Sequence, residues 1–156
     1  MPKQSKKLHK NFYKTFEILK DTSYKQRIIK LEHIEEYGFA LLIKWNRIEM
    51  LLKLLRYVYK WDNYPNELNF IRKNWGPLSY IYNLDNNCYK YIIEKENTAS
   101  LWNLRNKIAH TSYNINKHDY ENYKKYADKF YNLLEQNKLT KEEYTAKYNR
   151  KRKFTI

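Results

Sequence analysis

Cysteine, glycine and proline are nearly absent from this 156-residue chain, at one, two and three residues. A single cysteine, Cys88, excludes an intrachain disulfide and any Cys-x-x-Cys centre, so a reducing compartment is the natural setting. So few glycines and prolines leave few tight turns, which argues against a sheet-rich fold. The longest apolar stretch, Phe39 to Tyr59, is broken by Lys44, Arg47, Glu49, Lys53 and Arg56 and is not expected to span a membrane. The opening MPKQSKKLHKNF has no apolar core of signal-peptide length. A cytoplasmic protein with no membrane association is expected. There is no Gly-rich phosphate loop, no nucleophile elbow and no His, Cys, Asp and Glu set at metal spacing. No cofactor and no metal is therefore expected.

Acidic residues are also in short supply, 17 against 31 lysines and arginines, for a net charge of +14. Such a chain attracts polyanions, and phosphate contacts are the usual use of the charge. AT-rich codon usage would raise Lys, Asn, Tyr and Ile together, so composition alone leaves both explanations standing. The 17 tyrosines can stack on bases or complete a helical core with their hydroxyls at its edge.

The periodicity is helical throughout and predicts an all-α bundle with no sheet, occupying residues 1–156 as one domain. A short basic helix is expected over 4–20, and a long one over 24–60, with Gly38 as its kink or division. WDNYPNE and NWGPLS read as turns flanking a short helix over 66–73. Residues 78–96 read as a helix interrupted at NLDNN. Thr98 or Ser100 can cap a helix ending near Ala109; HTSYNINKHD is a loop, and a further helix runs to about 137. The tail TKEEYTAKYNRKRKF predicts a short final helix. Leu41, Trp45, Ile48, Leu52, Leu55, Leu101, Leu104 and Ile108 share the spacing of one core.

One residue breaks that pattern. On a wheel of about 100° per residue, Leu101, Trp102, Leu104, Ile108 and Ala109 share an arc, and Arg105 sits near its middle. A guanidinium facing a core is costly unless paired or lining a polar cleft. Arg105 can snorkel, or pair with an acid, for which Glu49 on the long helix is the best placed. It can also border a cleft. If the helix ends near Ala109, His110 can swing toward Arg105. The guanidinium, the Asn106 amide and a titratable imidazole would then surround a phosphate.

These residues carry a resemblance. RNKIAH, Arg105 to His110, is similar to the R-x4-6-H motif of the HEPN superfamily, with a polar residue after the arginine, and Trp45 to Leu55 resembles the acid-bearing second helix of such domains. The resemblance implies a four- or five-helix bundle that dimerises and often acts as a metal-independent ribonuclease; many relatives are toxins or phage-defence effectors. It assigns Arg105, Asn106 and His110 to the catalytic positions and Glu49 to the supporting acid. A departure lies at Ser112, where HEPN toxins paired with minimal nucleotidyltransferases tend to carry tyrosine; here Tyr113 comes one residue later.

The chemistry agrees with a dimer. Metal-free cleavage by the 2′-hydroxyl needs a base, an acid and positive charge for the intermediate, and two chains placed motif to motif supply two histidines and two arginines. Lys107 and the tail cluster Arg150, Lys151, Arg152 and Lys153 would hold the RNA backbone, aided by Lys6, Lys7 and Lys10. The expected partners are RNA, a second copy of the chain, and an antitoxin or defence-system protein. The alternatives are a non-catalytic module that binds nucleic acid or nucleotides, and an interaction subunit or antitoxin.

Overall fold

The computed structural model describes residues 13–58 and 65–138, together with 142, 143 and 146. Among them the regular structure is helical, without a strand. Residues 13–20 form α1. It is followed by α2 (Ser23–His33), α3 (Tyr37–Val58), α4 (Glu67–Lys73) and α5 (Trp75–Tyr82). A short α6 (Asn86–Cys88) continues as a π-helical turn over Tyr89–Ile93, before α7 (Leu101–Thr111) and α8 (Lys117–Asn137). The basic residues Lys6, Lys7, Lys10 and Arg150 to Lys153 lie outside the described residues, as does most of the expected final helix.

The centre is α3, which packs against α8, α2, α7 and α4. Its residues Leu41, Trp45, Ile48 and Leu52 step by four, three and four and are buried, but so are Ala40, Leu51 and Leu54 around the helix. A helix apolar on so much of its circumference belongs inside a bundle. Leu101 and Ile108 of α7 are fully buried as their spacing predicts, while Leu55 and Leu104 are half-buried at the rim.

Caps explain most boundaries. Asn66 accepts from the Asn69 amide, Asp85 from Asn87 and Ser100 from Asn103. Asn116 and Asp119 open α8 as a reciprocal pair, with Asn116 Oδ1 accepting from the Asp119 amide at 2.8 Å and its Nδ2 donating to Asp119 Oδ2 at 3.1 Å. NWGPLS, expected as a turn, instead opens α5 at Trp75. Pro77 lies in the first turn, where its missing N–H would have no intrahelical partner.

The division of the long 24–60 pattern also moves. The break lies at Ile34–Glu36, not at Gly38. Glu36 N donates to Leu31 O and Glu35 N to Glu32 O, which is a Schellman closure with Glu35 in the left-handed region at φ 61°. A glutamate there is strained by about 1 kcal/mol, and Ile34 beside it is exposed. Asn114, from the loop after α7, secures the corner. Its Nδ2 donates to Glu35 O at 2.9 Å, and its Oδ1 accepts from the amide of Gly38, also at 2.9 Å. Gly38 is needed for this approach, because a Cβ there would stand 2.5 Å from the backbone oxygen of Tyr113.

Arg47 is likewise more than a charge interrupting an apolar run. It is only 6% exposed. It donates to the carbonyls of Ile18 and Leu19 at 3.1 and 3.0 Å, at the end of α1, and its guanidinium lies 4.0 Å from the Tyr24 ring centroid. Last-turn carbonyls lack intrahelical donors, and Arg47 supplies them while fixing α1 to α3.

Gly38 gives a test of sign. Helix propensity alone makes Gly38→Ala stabilising by about 1 kcal/mol. The backbone contact at Tyr113 reverses that, and we expect a net loss of about 1–3 kcal/mol, seen as a lower melting temperature. An unchanged or higher melting temperature would refute the close approach.

Candidate functional site

Ser100 starts α7 at its N-cap, and the helix runs on to Thr111, two residues past the expected end at Ala109. It stops at Ser112, whose φ of 54° is left-handed. His110 is consequently inside the helix. At about 100° per residue it projects roughly 140° around the axis from Arg105, so it does not swing toward the guanidinium as expected. It is exposed and makes no hydrogen bond or ion pair among the described residues. Ala109, expected on the apolar arc, is exposed as well.

Arg105 is half-buried and lies between two indoles. Its guanidinium carbon is 5.3 Å from the Trp102 ring centroid and 5.5 Å from that of Trp45. Its Nη1 donates to Asn106 Oδ1 at 3.0 Å, so the motif amide is engaged with the motif arginine rather than with His110. Glu49 does not form the expected ion pair with Arg105. Instead it accepts from Trp45 Nε1 at 2.9 Å, one turn away on its own helix, at the edge of the indole that Arg105 approaches. Lys107 is exposed, with Nζ 3.8 Å from the Tyr113 ring centroid, which ties the loop after α7 back onto the helix.

A second arginine joins this group from α4. Arg72 donates through Nε to Ile93 O at 2.7 Å and holds its guanidinium 4.5 Å from the Trp102 ring centroid. Burial holds this guanidinium below its usual range; the neighbouring Tyr89 and Glu96 act against that shift, and Arg105 adds to it. Trp102 Nε1, Arg72 Nη2 and Arg105 Nε are all buried without an acceptor among the described residues. An unsatisfied buried donor costs about 1–3 kcal/mol. Nothing in the sequence links Arg72 to the motif, because the two lie on separate helices at no shared spacing and meet only through the packing of Trp102.

A cavity of about 370 Å³ opens elsewhere, between α2, α3 and α8. Its charges are largely matched internally. Lys44 pairs with Asp128 at 2.6 Å and Lys124 with Glu32 at 2.8 Å, and Glu32 also accepts from the Tyr120 hydroxyl. Burial raises the Glu32 carboxyl, but the hydrogen bonds from Lys124 and Tyr120 outweigh it and leave the group below its usual pKa. Burial, with Glu32 beside it, pushes Tyr120 well above the phenol range. This network joins three helices rather than presenting free donors.

The remaining candidates carry less. Cys88 is buried and its thiol is pushed up to about 12 by burial, so it is an unreactive core residue. His33 and His118 are exposed on α2 and α8. Among the described residues no group of three His, Cys, Asp or Glu is placed to hold a metal, and no helix is long and apolar enough to cross a membrane. No family model, no curated protein and no solved structure matches the chain.

The Glu32 network predicts a pH dependence. A carboxylate with a depressed folded-state pKa contributes stability that is complete above its ordinary value, 4.5 here, and is lost as pH falls through the lower folded value. Glu32→Gln should therefore melt below the wild type at pH 7, with the two melting temperatures converging below pH 4.5. A gap that persists unchanged under acid would mean that Glu32 acts through packing rather than charge.

Proposed function

We propose that the protein is a metal-independent endoribonuclease of the HEPN type, acting as a toxin or phage-defence effector from a homodimer. The observation that supports this most directly is the placement of Arg105. A permanent cation stands half-buried beside Trp45 and Trp102, without a carboxylate partner among the described residues, on the helix that carries RNKIAH. A guanidinium so placed is suited to a phosphate, whose oxygens match its fork. The charge of +14 favours an RNA partner.

The extension of α7 through His110 changes the mechanism. Within one chain the imidazole and the guanidinium diverge around the helix, so α7 presents them on different sides. In a dimer with the two α7 helices lining a common cleft, His110 of one chain meets a phosphate held by Arg105 of the other. One imidazole then takes the proton from the 2′-hydroxyl as that oxygen attacks phosphorus, and the other gives a proton to the departing 5′-oxygen. Arg105 offsets the charge that grows on the phosphoryl oxygens. Asn106, bonded to Nη1, holds the guanidinium in orientation. Glu49 contributes indirectly, by fixing the Trp45 indole.

Binding of RNA without cleavage is the second reading. It is favoured by the absence, among the described residues, of any partner that would orient the His110 imidazole.

The test is incubation of purified protein with RNA in EDTA. We expect fragments ending in a 2′,3′-cyclic phosphate and a 5′-hydroxyl, and a dimer by light scattering. His110→Ala should slow cleavage by about 10²–10⁴-fold with an unchanged helical spectrum. RNA bound but never cut would select the binding module, and full activity in His110→Ala would falsify the mechanism.

A further inference from the structure

Three buried donors around one indole lack acceptors: Arg72 Nη2, Trp102 Nε1 and Arg105 Nε. A fourth such donor, Arg47 Nε, belongs to a guanidinium whose Nη atoms already hold the carbonyls of Ile18 and Leu19. Arg72 and Arg105 have less. Each makes one hydrogen bond, to Ile93 O and Asn106 Oδ1, and neither has a carboxylate within ion-pair distance among the described residues. The acids nearby are Glu96, which acts on Arg72 only through space, and Glu49, which is engaged by Trp45. Two like charges thus lie over the same ring, at 4.5 and 5.3 Å from its centroid, without an ion-pair partner among the described residues.

Packing does not require this arrangement, since a core position beside Trp102 would be better filled by an aliphatic residue. An anion does account for it. We propose that Arg72, Trp102 and Arg105 form one phosphate site for the RNA backbone, with Arg72 of α4 as a second cation from outside the RNKIAH segment. The two guanidiniums fork onto the non-bridging oxygens, the indole N–H supplies a further donor, and the phosphate charge cancels their repulsion. All three side chains are half-buried, so each keeps an edge open to an incoming phosphate. This site rests on the reading of RNA as the substrate.

The experiment measures binding of a short unstructured RNA over a range of salt for the wild type, Arg72→Gln and Trp102→Phe. In parallel, it records the melting temperature of each in phosphate against chloride at matched ionic strength. Arg72→Gln should weaken RNA binding about ten-fold and lower the slope of log affinity against log salt by about one. Trp102→Phe should weaken binding while leaving the melting temperature in chloride unchanged or higher, because the N–H it removes has no partner in the free protein. A merely structural Trp102 would lose stability and binding together, which overturns the proposal. Both variants binding RNA and phosphate like the wild type would also overturn it, and if the wild type still cleaves RNA, the ribonuclease reading survives alone. A wild type stabilised by phosphate through Arg72, yet binding no RNA, would keep the anion site and remove RNA as its ligand.

Discussion

The side-chain amide of Asn114 makes three hydrogen bonds, and the placement of the candidate site depends on two of them. Its oxygen holds the Gly38 amide and its nitrogen holds the Glu35 carbonyl, so the end of α7 is fixed to the corner between α2 and α3. Gly38 lets the two backbones touch there, with Ile108 Cγ2 3.5 Å from where its Cβ would be. From that point α3 and α7 run in opposite directions. Two turns along α3 lies Trp45. Back along α7 lie Arg105 and Trp102, brought to the same level. Trp102 lies one turn from Arg105 on α7 itself, so it is the meeting with Trp45 that follows from register, and the register is set at Gly38.

The bundle handles its polar groups in two different ways. On the α2, α3 and α8 side they are matched: Lys44 with Asp128, Lys124 and Tyr120 with Glu32, and Arg47 with the carbonyls that end α1. On the α4 and α7 side they are not, and three donors crowd one ring without acceptors. Buried polar groups are ordinarily satisfied because each lost bond costs a sizeable part of a stability that totals only about 5–15 kcal/mol. Arg47 Nε and Glu135 Oε2 are single exceptions on the other side, whereas Arg72 Nη2, Trp102 Nε1 and Arg105 Nε gather at one indole.

The fold was largely legible in the sequence, and for a simple reason. Leu41, Trp45, Ile48, Leu52, Leu101 and Ile108 recur at helical spacing, and burial at those positions is a local consequence of period and polarity. Boundaries were less legible. NWGPLS reads as a turn because glycine and proline usually mark one, yet proline fits the first turn of α5. Gly38 reads as the division of a long helix, yet the chain divides at Glu35, where a non-glycine residue holds a left-handed conformation that Asn114 braces from a distant loop. No window of sequence contains both partners.

The sequence by itself determined an all-α chain with a basic charge and an arginine set into an apolar arc. Those properties are local, since each depends on residues within a few turns of one another. Only the tertiary structure decided what surrounds that arginine. It placed Glu49 on Trp45 instead of on Arg105, because one helical turn within α3 is a shorter reach than the crossing to α7. It kept His110 helical, since the left-handed residue that ends α7 is Ser112. It brought Arg72 from a separate helix onto the same indole. Contacts between helices depend on crossing angle and register, and those follow from how the buried surfaces fit together rather than from the spacing along any one of them.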